Sequence, residues 1–207
     1  MSDYRTPQET FWAGEFGTAY MTRNSGEELL ASNLRFFANA LKTAGPIASC
    51  LELGANIGMN LRALRLLYPA LTMKAVEIHD DAARMLGEAI GGDNVWRGSI
   101  LDYPVDEAFD LVVVKGVLIH IDPDVLPVVY DKMYHASRRL ILIAEYYNPT
   151  PVAVPYRGHA DRLFKRDFAG EFLDRHAGVK LLDYGFGYRR DPVFPMDDVT
   201  WFLLGKE

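Results

Sequence analysis

At 207 residues the chain is long enough to bury one substantial core, and with 49% hydrophobic and 24% charged residues its composition is that of a globular domain. A formal net charge of −6 argues against general nucleic-acid binding, which needs a basic surface to neutralise phosphates. The lone cysteine, Cys50, excludes an internal disulfide and fits a reducing compartment. The opening MSDYRTPQET lacks the apolar stretch of a signal peptide, and no run approaches the roughly 18 apolar residues that cross a bilayer. The expectation is a soluble cytoplasmic protein, a monomer or homodimer, with neither a membrane nor a nucleic acid as partner.

Two helical segments are expected first, about 8–21 and 26–44. The second places Leu29, Leu30, Leu34, Phe37 and Leu41 on one side, and Gly45-Pro46 ends it. From Ile47 onward, short apolar runs alternate with helical patterns. IASCLEL (47–53) reads as a buried strand, and a helix over 56–68 follows, stopped by Pro69. A second strand (71–78) leads to a helix over 80–90 capped by Asp80 or Asp81. Strands follow at 94–100 and 110–116, then a helix at about 124–136 and a fifth strand at 138–147. This alternation predicts a doubly wound parallel sheet. A Pro-rich loop (148–160) and a helix at about 167–177 precede two strands, 179–188 and 198–206, with no helix between them. Their direct succession predicts an antiparallel hairpin at the sheet edge. The fold class expected is therefore α/β: a Rossmann-like, doubly wound, seven-stranded sheet, mostly parallel, with an antiparallel C-terminal hairpin and N-terminal helices. One domain spans 1–207, comprising a helical lid (1–45), a cofactor-binding core (46–147) and an acceptor loop with the hairpin (148–207).

The turn after the first strand, Glu52-Leu53-Gly54-Ala55-Asn56-Ile57-Gly58, carries the most information. Gly54 permits a sharp turn and close approach of a ligand to the backbone, and Gly58 permits tight packing. Glu52 stands at the carboxyl end of a buried strand, where α/β folds bind ligands and an unpaired charge is costly. A dinucleotide fingerprint would read G-x-G-x-x-G. The spacing here is E-x-G-x-x-x-G, which suits a cofactor without a pyrophosphate. Glu77 ends the second strand 23 residues after Gly54. There a carboxylate accepts both hydrogen bonds of a ribose diol. The competing reading makes Glu77 an exposed acid paired with Lys74.

With Gly98-Ser99-Ile100 after the third strand and Lys115-Gly116-Val117-Leu118-Ile119-His120 after the fourth, residues 47–147 resemble the class I S-adenosylmethionine methyltransferases. The resemblance implies S-adenosylmethionine as cofactor and S-adenosylhomocysteine as product. It places the methionine portion at Gly54, Asn56 and Gly58, with Glu52 and Lys115 beside it, the ribose at Glu77 and Ile78, and the adenine at Ser99 and Ile100. Many members carry aspartate where Ser99 stands. The flanking segments 11–24, 115–124 and 144–168 resemble more narrowly the methylases associated with pseudaminic-acid biosynthesis, which implies an acceptor in surface-glycan or nucleotide-sugar chemistry. Relatives that methylate other small anions, such as phosphonates, form the alternative.

Residues 144–168 concentrate Tyr146, Tyr147, Asn148, Tyr156, Arg157, His159, Arg162, Lys165 and Arg166 in an otherwise acidic chain. Such density fits a small-molecule pocket for a phosphate, phosphonate or carboxylate group, which arginine binds in bidentate fashion. Tyr146, Asn148, Tyr156, Arg157 and Arg166 are the substrate-binding candidates, together with Tyr20 and Arg23 from an N-terminal lid that includes Phe11, Trp12 and Phe16. The competing reading is a solvated loop whose cations pair with Asp161, Asp167 and Glu171. His120 is the candidate general base, since its ordinary titration range suits proton removal near neutrality; the alternative is a packing or capping histidine. No His/Cys cluster has metal-ligand spacing, and neither a G-x-S-x-G elbow nor a Walker A motif occurs. A non-catalytic cofactor-binding protein and a nicotinamide-dependent oxidoreductase are the rival functions, the second disfavoured by the glycine spacing.

Overall fold

The computed structural model describes residues 4–207. The chain opens with α1 (Pro7–Ala13) and α2 (Glu15–Arg23). These are two helices where one was expected, because Gly14 is extended (φ −100°, ψ −156°) and serves as C-cap of the first and N-cap of the second. Helix α1 begins with a capping box, in which Thr6 and Glu9 each satisfy the other's backbone amide. Helix α3 (Glu27–Ala40) follows. Its buried face is rotated from the predicted stripe. Phe36, Phe37 and Ala40 are fully packed, Leu30 and Leu34 only partly, and the polar Ser32 and Asn33 are buried.

The central sheet is assembled from β1 (Ser49–Leu53), β2 (Thr72–Glu77), β3 (Val95–Arg97), β4 (Phe109–Lys115) and β5 (Ser137–Glu145), all parallel. Helices α4 (Met59–Leu67), α5 (Asp80–Ile90) and α6 (Leu126–Ala136) connect strands of this set. The predicted caps shift slightly. Helix α4 starts three residues late because Asn56 (φ 50°) and Gly58 (φ 83°) occupy left-handed conformations. The N-cap of α5 is His79, whose Nδ1 accepts from the Ala82 amide, rather than Asp80 or Asp81.

Beyond β5 the chain forms a small two-stranded ladder absent from the sequence reading, β6 (Val152–Ala153) with β7 (Phe164–Lys165), and then α7 (Phe168–Arg175). Strands β8 (Val179–Gly187) and β9 (Val199–Lys206) make the expected antiparallel hairpin. The sheet order is β3-β2-β1-β4-β5-β9-β8, with β9 antiparallel to β5 and β8 at the edge. The seven-stranded mixed sheet thus agrees with the expectation.

Alternation along the strands divides the core in two. Cys50, Leu111, Val113, Leu140 and Leu142 pack beneath α3, α4 and α5. Leu51, Leu53, Val112, Val114, Ile141 and Ile143 pack beneath α6 and α7. Fully buried parallel strands explain why these segments read as continuous apolar runs. Strand order reverses between β1 and β4, which opens a crevice at the carboxyl ends of the strands. Helices α1 and α2 lie across that crevice. Among the described residues no helix is long and apolar enough to cross a membrane, and no group of three His, Cys, Asp or Glu side chains could hold a metal ion.

Candidate active site

The crevice contains a cavity of about 430 Å³, within the range of small-molecule sites. Its floor is the β1–α4 turn. Gly54 adopts φ +72°, and a Cβ there would lie 2.6 Å from Val117 Cγ2. Glycine is therefore required twice, for the conformation and for the space. The Asn56 amide donates to Glu77 Oε2 at 2.7 Å, and the His79 amide donates to Glu77 Oε1 at 2.7 Å. Glu77 is only 7% exposed and lines the cavity, and burial raises its carboxyl above the usual range. The pairing with Lys74 does not occur, since Lys74 joins Glu107 instead.

Of the predicted cofactor residues, Gly54, Asn56, Glu77, Ile78, Ser99, Ile100 and Lys115 line the cavity, and Glu52 and Gly58 do not. Glu52 is 1% exposed, and one of its oxygens accepts from Asn60 Nδ2 at 2.6 Å. Burial pushes its carboxyl up to about 8, against the lowering effect of the Asn60 hydrogen bond and the Lys115 charge. Burial also lowers Lys115, whose ammonium sits 5.8 Å from the Phe36 ring centroid. Several buried polar atoms at this end have no partner in the protein: Glu52 Oε2, Asn56 Oδ1, Asn60 Oδ1 and Asn33 Oδ1. Unspent capacity of this kind is costly in a core and suits a wall that meets a polar ligand. Asn33 and Asn60 were missed in the sequence. A polar residue within the apolar stripe of α3 was a signal for the first.

His120 ends the 3-10 turn Leu118–His120 after β4 and also lines the cavity. The loop that holds it is fixed by Glu145 at the end of β5, whose Oε1 accepts from the Val117 and Leu118 amides, both at 2.9 Å. Burial pushes Glu145 up to about 7, opposed by those amides. It is a buried strand-end acid like Glu52, and the same reasoning would have singled it out. His120 Nδ1 lies 2.6 Å from the Arg162 carbonyl, which accepts only, so Nδ1 carries the proton and Nε2 keeps its lone pair. Burial lowers the imidazole to about 4, so it is neutral at physiological pH.

Around His120 stand Trp12, at 4.5 Å between ring centroids, and Tyr156, at 5.2 Å. Trp12 in turn packs edge-on against Phe16 and Tyr20. Tyr20, Tyr146 and Tyr156 all line the cavity. Burial is the main reason the Tyr20 and Tyr146 phenols are raised well above normal, so both remain protonated donors. Asp197, from the segment before β9, also lines the cavity and interacts with Tyr146.

The predicted basic residues are placed otherwise. Arg166 pairs with Glu171 at 2.7 Å against α7, with Asn148 alongside it through the Asn148 amide to the Arg166 carbonyl, and neither lines the cavity. Arg162 pairs with Asp161. Arg157, at φ 47° in the Tyr156–His159 turn, is exposed and lies over the Tyr156 ring, while the exposed Arg23 lies over Phe16. Neither Arg157 nor Arg23 lines the cavity. Within the cavity, four carboxylates (Glu9, Glu77, Asp122 and Asp197) face two cations (Lys115 and Arg189), so the interior does not favour an anion.

No protein-family model matches the chain, and neither does any curated protein. Solved structures do match its fold. The 1,6-didemethyltoxoflavin-N1-methyltransferase of Burkholderia thailandensis, with its substrate and S-adenosylhomocysteine bound, superposes with TM-score 0.72 at 18% identity, covering 100% of this chain and 92% of that one. The mitomycin 7-O-methyltransferase gives TM-score 0.69 at 14% identity over 98% of this chain, which spans 61% of that protein's length. The magnesium protoporphyrin IX methyltransferase of Synechocystis PCC 6803, with S-adenosylmethionine bound, gives 0.65 at 11% identity, covering 100% of both chains. At such identities the likeness establishes a Rossmann-like methyltransferase fold.

Proposed function

We propose that the protein is an enzyme that transfers a methyl group from S-adenosylmethionine to a hydroxyl of a small polar acceptor. The observation that carries this reading is one cavity uniting two different ends. At one end stand the glycine turn and the buried Glu77 carboxylate; at the other, a neutral histidine packed against Trp12 and Tyr156, with Tyr20 and Tyr146 in the same cavity lining. A nucleoside-binding end beside an aromatic chamber with a proton acceptor is what a group-transfer site requires. A nicotinamide enzyme would want glycines placed for a pyrophosphate, which the β1–α4 turn does not provide.

Residues already present fit the cofactor. Glu77 retains lone pairs for a ribose diol beyond the two amides it accepts. Gly54 and Asn56 present backbone to the methionine portion, with Lys115 and the unsatisfied Asn33 and Asn60 carbonyls near its charged groups. When bound, S-adenosylmethionine supplies an activated methyl group on a positively charged sulfur. The chain's own work is then positioning, the term able to contribute most when reacting atoms are held in line. Tyr20, Tyr146 and Trp12 hold the acceptor and exclude water. His120 Nε2 would accept the hydrogen bond of the acceptor hydroxyl and receive its proton late, as the sulfur–methyl bond breaks, the oxygen–methyl bond forms and S-adenosylhomocysteine leaves. An imidazole near 4 is a weak base, so it acts by accepting a hydrogen bond that strengthens late in the reaction.

The acidic interior and the tied Arg166 and Arg162 favour an acceptor whose reacting end is uncharged. An anionic group of the same molecule would lie outside, at Arg157 and Arg23. A nucleotide-sugar, with neutral sugar hydroxyls and anionic phosphates, has that division, in keeping with the resemblance of the flanking segments to pseudaminic-acid-associated methylases. Direct methylation of a phosphonate oxygen would need a cationic interior and is the weaker reading.

Isothermal titration with S-adenosylhomocysteine, with NAD as control, is the first test. Saturable binding of the former alone is expected, and failure to bind in a folded protein refutes the proposal. With an acceptor in hand, His120→Ala is expected to lower turnover by about 100-fold or more. Unchanged turnover would remove His120 as base, and cofactor binding with no turnover on any acceptor would favour the non-catalytic alternative.

A further inference from the structure

In the sheet, β2 lies between β1 and β3. Under the proposed function, with the methionine portion at the Gly54 turn after β1 and the ribose at Glu77 at the end of β2, the nucleobase would lie toward the end of β3, one strand spacing of about 4.8 Å further on. The carboxylate nearest that place in sequence, Asp102, is exposed and turned to an ion pair with Arg5. Ser99 lines the cavity there, but its hydroxyl donates to another group, Glu9 Oε1, and accepts from the Leu101 amide at 3.0 Å.

Glu9 comes from α1, ninety residues away in the chain, yet it is 7% exposed and lines the cavity beside Gly98, Ser99 and Ile100. Its second oxygen accepts from the Thr6 amide at 2.8 Å and the Thr6 hydroxyl at 3.0 Å. The carboxylate is thus immobilised from both sides, while Oε1, with only Ser99 as partner, keeps a lone pair. The helix that carries it is also anchored from outside. Arg5 joins Asp102, Gln8 Nε2 donates to the Asp161 carbonyl at 3.1 Å, and in α2 Thr18 Oγ1 meets His79 Nε2 at 3.0 Å.

We infer that Glu9 is a specificity residue for the cofactor's base: its Oε1 accepts a hydrogen bond from the adenine amino group, so that α1 completes the cofactor site. The inference rests on the proposed function. It has two consequences. A base bearing an oxygen in place of the amine would bring a carbonyl against a buried carboxylate and be rejected. Cofactor binding would also hold α1 in place, coupling occupation of the β3 end to closure of the Trp12 and Tyr20 chamber carried by α1 and α2.

The test is titration of wild type and Glu9→Gln with S-adenosylhomocysteine and with its deaminated analogue S-inosylhomocysteine, together with hydrogen exchange across 7–13. Glutamine at this position still completes a capping box, so α1 is expected to remain folded. Wild type is expected to prefer the adenine form by about 100-fold or more, the penalty of opposing two buried acceptors. Glu9→Gln is expected to bind S-adenosylhomocysteine about 10- to 100-fold more weakly and to lose most of the discrimination, since its amide can donate to the inosine carbonyl. Exchange in 7–13 should slow with the adenine ligand in wild type and much less in the variant. Equal affinity and equal discrimination in the two proteins would overturn the role of Glu9 while leaving the proposed function standing. Failure of wild type to bind S-adenosylhomocysteine at all would overturn that function and this inference with it.

Discussion

Replacing Gly54 by alanine tests the geometry of the cofactor turn, and the structure allows its two costs to be separated. The first is conformational. At φ +72° an L side chain crowds the following carbonyl, at about 1–2 kcal/mol. The second is steric. The new Cβ would lie 2.6 Å from Val117 Cγ2 and 3.0 Å from Cγ1, within a packed wall where overfilling costs about 1–3 kcal/mol. The sum is about 2–5 kcal/mol. Gly45 is the control, because it has nearly the same φ (+68°) with nothing within 4 Å of its would-be Cβ. Gly45→Ala should therefore lose only the conformational part. Val117 is not inert, since the His120 amide donates to its carbonyl at 2.8 Å and its own amide binds Glu145. Pushing Val117 aside displaces the candidate base as well. Urea unfolding of Gly54→Ala, Gly45→Ala, Val117→Ala and the Gly54→Ala/Val117→Ala pair gives both terms. The pair should recover about 1 kcal/mol or more beyond additivity. If Gly54→Ala costs no more than Gly45→Ala, or the pair is additive, the close approach of Gly54 to Val117 is refuted.

Glu52→Gln should stabilise the ligand-free protein at neutral and alkaline pH. The folded carboxyl is raised to about 8 from an ordinary value of about 4.3, so the unfolded state holds fewer protons between those limits and wild-type stability falls as pH rises through them. The penalty removed at pH 7 is at most about 4 kcal/mol, and thermal unfolding at pH 5 and 7 should show the gain at 7 and little at 5. Nitrogen-15 NMR of the histidines should find the His120 ring neutral, protonated on Nδ1, from pH 8 to below 5; a titration near 6.5 would contradict its burial. Tyr156→Ala, which opens the chamber wall against His120, should raise the acceptor KM or lower kcat by about 10-fold or more. Arg166→Ala, tied to Glu171 outside the cavity, should change both less than about 3-fold; the reverse order would restore Arg166 as an acceptor ligand.

Legibility in the sequence followed the range of the interaction. The alternation of buried strands with helices, the terminal hairpin and the E-x-G-x-x-x-G turn are set by contacts a few residues apart, and each was readable. Glu52, Gly54, Asn56 and Glu77 could be singled out because a glycine turn or a strand-end acid declares itself locally. The break of the first helix at Gly14 could not be read, because it depends on an extended conformation that most residues adopt, and the late start of α4 could not because a left-handed Asn56 is not dictated by its side chain. Basic density in 144–168 was visible, and so was the reading in which its cations pair with nearby acids, as Arg162 does with Asp161 and Arg166 with Glu171; only tertiary packing decided that Tyr146 and Tyr156 face the cavity. The sequence by itself determined the order of elements and the chemistry available at each strand end. Tertiary structure alone decided which distant groups meet there. It placed Glu9 against Ser99, Arg162's carbonyl against His120, and the Asn33 side chain in the cavity wall. The physical reason is that burial and hydrogen bonding, which set the state of each group, depend on neighbours far away in the chain.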